Sequence, residues 1–215
     1  MLNLDAPTTI SRIITLIIAF TLHEFAHAFT ANTLGDDTPR LAGRLTLNPF
    51  AHLDLMGTLM LLMAGFGWAK PVPVNPYTLR RKSKAGLMLV SLAGPLTNLL
   101  LAVIAAIPLR LNLVPLDFIS GHFLPTFSQF LLEFIFINLA LFLFNLIPLA
   151  PLDGEQVLLF FMPPAFKRAY GNIRPYGPII LLAIVFVGPM LHFDILGIII
   201  REPLLLLTKF LIGIS

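Results

Sequence analysis

Long apolar runs alternate along this chain with short polar or proline-rich links. The first run, about Thr8 to Ala31, is long enough to cross the hydrocarbon core as a helix. Ala85 to Leu109 and Phe127 to Leu149 predict a second and a third span. Pro178 to about Leu191 opens a fourth apolar region, and Ile195 to Ile214 is apolar but interrupted by Arg201-Glu202-Pro203. Between the first two spans lies a polar, turn-rich link, Gly35 to Pro49, carrying Asp36, Asp37, Arg40 and Arg44. Leu53 to Phe66 is apolar but falls short of the roughly 20 residues a spanning helix needs, and suits a re-entrant or buried segment. Gly67 to Pro76 follows, where Pro71, Pro73 and Pro76 forbid a helix and favour extended backbone. The pattern predicts an all-α polytopic membrane bundle of roughly four to six spans. A small membrane-associated extended or β hairpin joins the first span to the second.

Composition fixes the environment. The chain has 215 residues, 57% hydrophobic and 12% charged, with a mean hydropathy of +0.90. A soluble domain carries about a quarter charged residues. So little charge cannot clothe a water-soluble globule, and residues 1–215 read as one membrane-embedded domain. Met1 to Pro7 lacks a basic leader and no small-residue cleavage site follows, so the first run is expected to be retained. Cysteine is absent, which excludes disulfides and thiolate metal sites. The net charge of +3 points to cytoplasmic loops rather than nucleic acid, because no basic block interleaved with aromatics occurs. Arg80, Arg81, Lys82 and Lys84 precede the second span; Lys167, Arg168 and Arg174 follow the third. The 110–126 connection holds only Arg110, opposed by Asp117. The positive-inside rule places both basic loops in the cytoplasm and residues 110–126 outside. Arg12, at the outer end of the first span, runs against that rule, and Glu133 in the third span has no evident role.

The chemistry sits inside the first span, where His23-Glu24-Phe25-Ala26-His27 forms an HExxH motif. On a helix, residues four apart share a face, so both imidazoles can reach one Zn²⁺ while Glu24 serves as general base on a water. Each ionisable residue at a helix centre costs roughly 2.5–3.5 kcal/mol to insert. Snorkelling is the alternative reading, but these residues lie several positions inside the helix end. A catalytic zinc site usually has three protein ligands. His122 and His192 fall on the outer side; His192 with Asp194 reads as an interfacial pair rather than a second metal site. His52 is on the correct side and stays a reserve candidate. Asp153 is better placed, at the cytoplasmic end of the third span, where Pro148 and Pro151 break the helix and Gly154 permits a turn. The alternative is an aspartate that only caps a turn.

HExxH in one span, with Asn145-Leu146-Ile147-Pro148-Leu149-Ala150-Pro151-Leu152-Asp153-Gly154 after a later one, resembles the site-2 protease family of intramembrane zinc metalloproteases. Gly94-Pro95-Leu96-Thr97-Asn98 and the Gly67–Asn75 stretch extend the resemblance over about residues 8–160, leaving C-terminal helices at about 177–215. It implies one zinc per chain held by His23, His27 and Asp153, with Glu24 as catalytic base. It also implies transmembrane protein substrates, such as membrane-anchored regulators, and a multi-pass protein of the bacterial cytoplasmic membrane. No room is expected for the PDZ or CBS domains that some members carry. Asn145 and Asn98 are candidate substrate-binding groups, Asn145 as an oxyanion or substrate-backbone donor. The alternative for Asn145 is pairing with helix backbone near Pro148. Val72, Val74 and Asn75 are candidates for pairing with an unwound substrate, and a rigid connector is the alternative. Ala93 and Gly94 are read as allowing close helix approach. A membrane metal transporter or a non-hydrolytic zinc scaffold is the rival function; it needs ionisable groups distributed across the bilayer, whereas these gather near one face.

Overall fold

Backbone amides in hydrocarbon must find partners within their own segment, so long apolar runs fold as helices. The computed structural model describes residues 5–57, 60, 67–117, 123–191 and 195–213 and bears this out. Helix α1 spans Ala6–Thr33, begun by Asp5, whose Oδ1 accepts from Thr8 N at 3.0 Å. Its end is marked by Gly35 in the left-handed region, φ 89°. A single turn, α2 (Thr38–Leu41), follows, and later α3 (Pro76–Lys82), capped by the side chain of Asn75. Helix α4 covers Gly86–Arg110, and α5 covers Phe127–Asn145 behind a capping box of Thr126 and Gln129. Then come α6 (Gly154–Phe161), α7 (Pro164–Ile173), α8 (Gly177–Leu182) and α9 (Glu202–Ile212).

Among the described residues, four helical stretches are long and apolar enough to cross a membrane: Ala6–Thr33, Gly86–Arg110, Phe127–Asn145 and Pro164–Val187. Three match the spans read from the sequence to within a few residues. The third stops at Asn145, short of Leu149, because the helix gives way ahead of Pro148. The fourth begins earlier than Pro178: helical winding already starts in α7, which carries the exposed Lys167 and Arg168.

Helices α1, α4 and α5 pack on one another as the centre of the bundle. Ala102, Ala105, Ala106 and Leu109 of α4 meet Leu131, Phe134, Ile135 and Leu139 of α5. Small residues on α4 let the larger α5 side chains close in, the usual route to tight packing where lipid is as apolar as the helices. Helix α9, whose path the apolar pattern left open, adds Leu204 to this cluster. Its last turn is held by Arg110, whose Nη1 donates to the carbonyls of Phe210 and Leu211. At the opposite end Ala31, Leu79 and Val90 tie the end of α1 to α3 and to the start of α4.

The expected hairpin is reduced to an isolated antiparallel bridge between Leu53 and Ala69, reinforced by Lys70 N donating to His52 O at 2.8 Å. Residues 70–75 are extended, and no strand forms among the described residues. Most of the Leu53–Phe66 segment, together with His122, His192 and Asp194, lies outside them.

The two charges that the hydropathy pattern left without roles pair with each other. Arg12 Nε donates to Glu133 Oε2 at 3.0 Å, joining α1 to α5, and both side chains are partly buried. That contact explains an arginine at the end where the charge rule disfavours one. Glu133→Gln should lower the thermal stability of the detergent-solubilised protein by about 2 kcal/mol, the scale of a charged hydrogen bond. Adding Arg12→Met should restore part of the loss by removing the stranded cation. Unfolding temperatures unchanged in both variants would mean the pair contributes nothing.

Candidate metal centre

His23 and His27 sit one turn apart on the face of α1 that packs against α4, and both are buried. Their Nε2 atoms are 3.0 Å apart. Asp153 closes the triangle, with Oδ2 3.2 Å from His23 Nε2 and 3.4 Å from His27 Nε2. The ligand atoms of all three lie within 4.8 Å of one another, a group that could hold a metal ion.

Local sequence delivers Asp153 to this point. Past Asn145 the chain winds through tight turns, with Leu152 N donating to Leu149 O at 2.9 Å and Glu155 N to Leu152 O at 3.1 Å. Gly154, expected to serve a sharp turn, does so through close approach: a Cβ there would run into the carbonyls of Leu146 and Ile147. The turn therefore folds back on the end of α5 and points the Asp153 carboxylate at α1.

Hydrogen bonding on the far side of each ring decides what faces the centre. His23 Nδ1 lies 2.6 Å from Asn98 Oδ1, and His27 Nδ1 lies 2.7 Å from Val90 O. Those oxygens only accept, so each Nδ1 carries a proton and each neutral ring presents a bare Nε2 lone pair. With both rings neutral, two imidazole lone pairs and a carboxylate face one another. A cation satisfies all three, and two nitrogens with one oxygen match the donor set of a catalytic zinc site. The residues present fit the metal.

Glu24 is buried beside this group. Its Oε2 accepts from Val72 N at 3.1 Å and lies 4.0 Å from Arg44 Nη2. Arg44 is itself buried, donating to Ala51 O at 2.6 Å and to Lys70 O. Burial pulls its pKa below the ordinary arginine value, and the Glu24 carboxylate opposes that shift. Asp36, also buried, accepts from Asn75 N at 2.6 Å through Oδ2. Thus Arg44 and Asp36 pin the extended segment across the end of α1, with Val72 turned toward Glu24. Neither was singled out from sequence, since a charge in a polar link carries no mark of burial. The reserve candidate His52 is fully buried outside the group, with Nε2 bonded to Thr46 O at 2.7 Å.

Asn98 is brought to the centre as a partner of His23, and its Nδ2 donates to Asn138 Oδ1 at 3.0 Å. Asn145 donates instead to Leu141 O of its own helix at 3.0 Å. A cavity of about 520 Å³ opens beside Asp153, lined also by Ser91, Glu155, Gln156 and Arg174. There the buried Glu155 carboxylate accepts from Arg174 Nε at 2.6 Å.

Known proteins share most of this chain. It is 45% identical over 179 residues to "Putative zinc metalloprotease YwhC" of Bacillus subtilis, covering 83% of this chain and 80% of that one. It is 33% identical over 189 residues to "Putative zinc metalloprotease Rip2" of Mycobacterium tuberculosis, covering 85% and 69% respectively. No family model and no solved structure matches it.

Gly94 was read from sequence only as a close-approach residue, and its neighbours are the two imidazoles themselves: a Cβ there would fall 2.6 Å from His23 Nε2 and closer still to His27 Nε2. Gly94→Ala should favour the helix by about 1 kcal/mol on propensity alone. It should nonetheless strip the purified protein of most of its zinc, measured by elemental analysis. One zinc per chain in that variant would show that the ring positions tolerate the methyl group.

Proposed function

The chain belongs to the site-2 protease family of zinc metalloproteases, and from that membership we propose an intramembrane endopeptidase that hydrolyses peptide bonds in transmembrane segments of other proteins. One observation carries this reading: His23, His27 and Asp153 converge within 4.8 Å, with Glu24 adjacent, in a bundle of spans. His23 Nε2, His27 Nε2 and Asp153 Oδ2 would hold one zinc per chain. Bound there, zinc supplies Lewis acidity, polarising the scissile carbonyl and lowering the pKa of water. Glu24 takes a proton from the attacking water at its carboxylate and returns it to the leaving amine. Val72 N–H and the Arg44 guanidinium hold that carboxylate in place. Hydrolysis consumes water that the bilayer interior lacks, and the cavity beside Asp153 provides a route for it. The whole of residues 1–215 acts as one catalytic unit in this reading, in the bacterial cytoplasmic membrane, on substrates such as membrane-anchored regulators.

Substrate handling follows from the extended segment. A helical substrate hides its scissile bond behind its own hydrogen bonds, and freed backbone groups in a membrane need new partners. Residues Val72 to Asn75 offer an edge for strand addition. Val72 N and Asn75 N are occupied by Glu24 and Asp36, whereas Val74 N–H has no hydrogen-bond partner among the described residues. Asn98 and Asn145 already have side-chain bonds, so a role for either at substrate requires exchange of one of them.

Three variants test this reading. Glu24→Gln should retain zinc near one per chain while abolishing cleavage of a transmembrane substrate, by about 10²-fold or more. Asp153→Ala should lose the zinc itself; full metal and activity in that variant would remove Asp153 from the ligand set. Val74→Pro deletes a backbone donor without adding charge. It should slow cleavage of a stable substrate helix far more than that of one loosened by Gly or Pro near the cut. Equal slowing of both would favour a rigid connector.

A further inference from the structure

We infer that Asn138, on α5 and one amide removed from His23, is a positioning residue that fixes the tautomer of His23 through Asn98. This inference rests on the metal-centre reading and extends it by one helix. Asn98 and Asn138 are both fully buried in the spans where a polar amide without partners is costly. They form one line of hydrogen bonds from α5 to α1. Asn138 Nδ2 donates to Phe134 O at 2.9 Å, Asn98 Nδ2 donates to Asn138 Oδ1 at 3.0 Å, and Asn98 Oδ1 faces His23 Nδ1 at 2.6 Å.

The direction of this line is set at its far end. A main-chain carbonyl can only accept, so the Asn138 group facing Phe134 O must be its NH₂. Asn138 then turns its carbonyl toward Asn98, which must answer with NH₂ and present its own carbonyl to His23. That carbonyl demands a proton on Nδ1 and leaves Nε2 bare for a ligand bond. Were the Asn98 amide reversed, its NH₂ would face Nδ1, and the neutral ring would carry its proton on Nε2, aimed at His27 and Asp153. Asn98 by itself has no preference between its two orientations. Asn138 supplies it, and Phe134 O supplies the orientation of Asn138. His27 needs no such relay, because a backbone carbonyl, Val90 O, sets its tautomer directly.

The test is zinc affinity, measured by chelator competition on the full-length purified protein, for wild type, Asn98→Ala, Asn138→Ala and the double variant. Asn138→Ala should bind zinc about tenfold more weakly, the low end of the range for residues behind a metal ligand. If Asn138 acts through Asn98, the double variant should bind no more weakly than Asn98→Ala, within about twofold. A purely packing role predicts losses that multiply. Asn138→Asp keeps both bonds when buried and neutral, its O–H donating to Phe134 O and its carbonyl accepting from Asn98, and should bind zinc within about threefold of wild type. It also decides the matter if Asn138→Ala does not fold. Wild-type affinity in Asn138→Ala, multiplying losses in the cycle, or a tenfold loss in folded Asn138→Asp would overturn the relay. A wild-type protein that binds no zinc would instead sink the metal-centre reading on which it rests.

Discussion

Three hydrogen-bond acceptors held face to face, inside helices that lipid surrounds, form the arrangement on which the rest of this molecule depends. Two bare imidazole nitrogens and a carboxylate repel one another, and nothing in hydrocarbon screens that repulsion. A cation seated among them would remove that cost, and much of the surrounding structure keeps the three groups convergent. Asn98 and Val90 occupy the outer nitrogens of the rings. The turns after α5 fold Asp153 back toward α1. Arg44 and Asp36 anchor the extended segment across the same end of the bundle. Each is a polar group buried with a specific partner, the condition under which such groups are tolerated in a low dielectric.

The helical skeleton was legible because hydropathy and helix length are tied by the thickness of a bilayer. Three spans agree with the apolar runs to within a few residues, and proline explains the early stop at Asn145. HExxH was legible for a related reason: its spacing is itself a statement of helical geometry. Asp153 required more, since its approach to α1 depends on how the chain after α5 folds. Proline and glycine marked the break without giving its direction. Gly154 illustrates the difference, being needed to let two carbonyls come close rather than for an unusual backbone angle.

What the sequence hid was pairing over long separations. Arg12 and Glu133 each looked anomalous singly, one against the charge rule and the other without purpose. Their contact across 121 positions resolves both. Arg44 and Asp36 read as ordinary loop charges because no local signal distinguishes a solvated side chain from one folded beneath a neighbouring segment. The same blindness covered Asn138, an amide in a largely apolar helix that no motif marks. The C-terminal residues show the opposite limit: their apolar run was plain, but only packing decides that α9 lies against α4 and α5.

Gly94 has a mechanical consequence. With only a hydrogen atom between the α4 backbone and both rings, α1 and α4 have no slack at the level of the candidate metal centre. Neither helix can slide or roll toward the other without driving main chain into an imidazole, so this pair behaves as a fixed jaw. Displacement that admits a bulky polypeptide would then fall to parts that do not share the contact, such as the extended segment over Glu24 or the turn that carries Asp153. A protease of this design would open by moving its lip and keep its hinge side still.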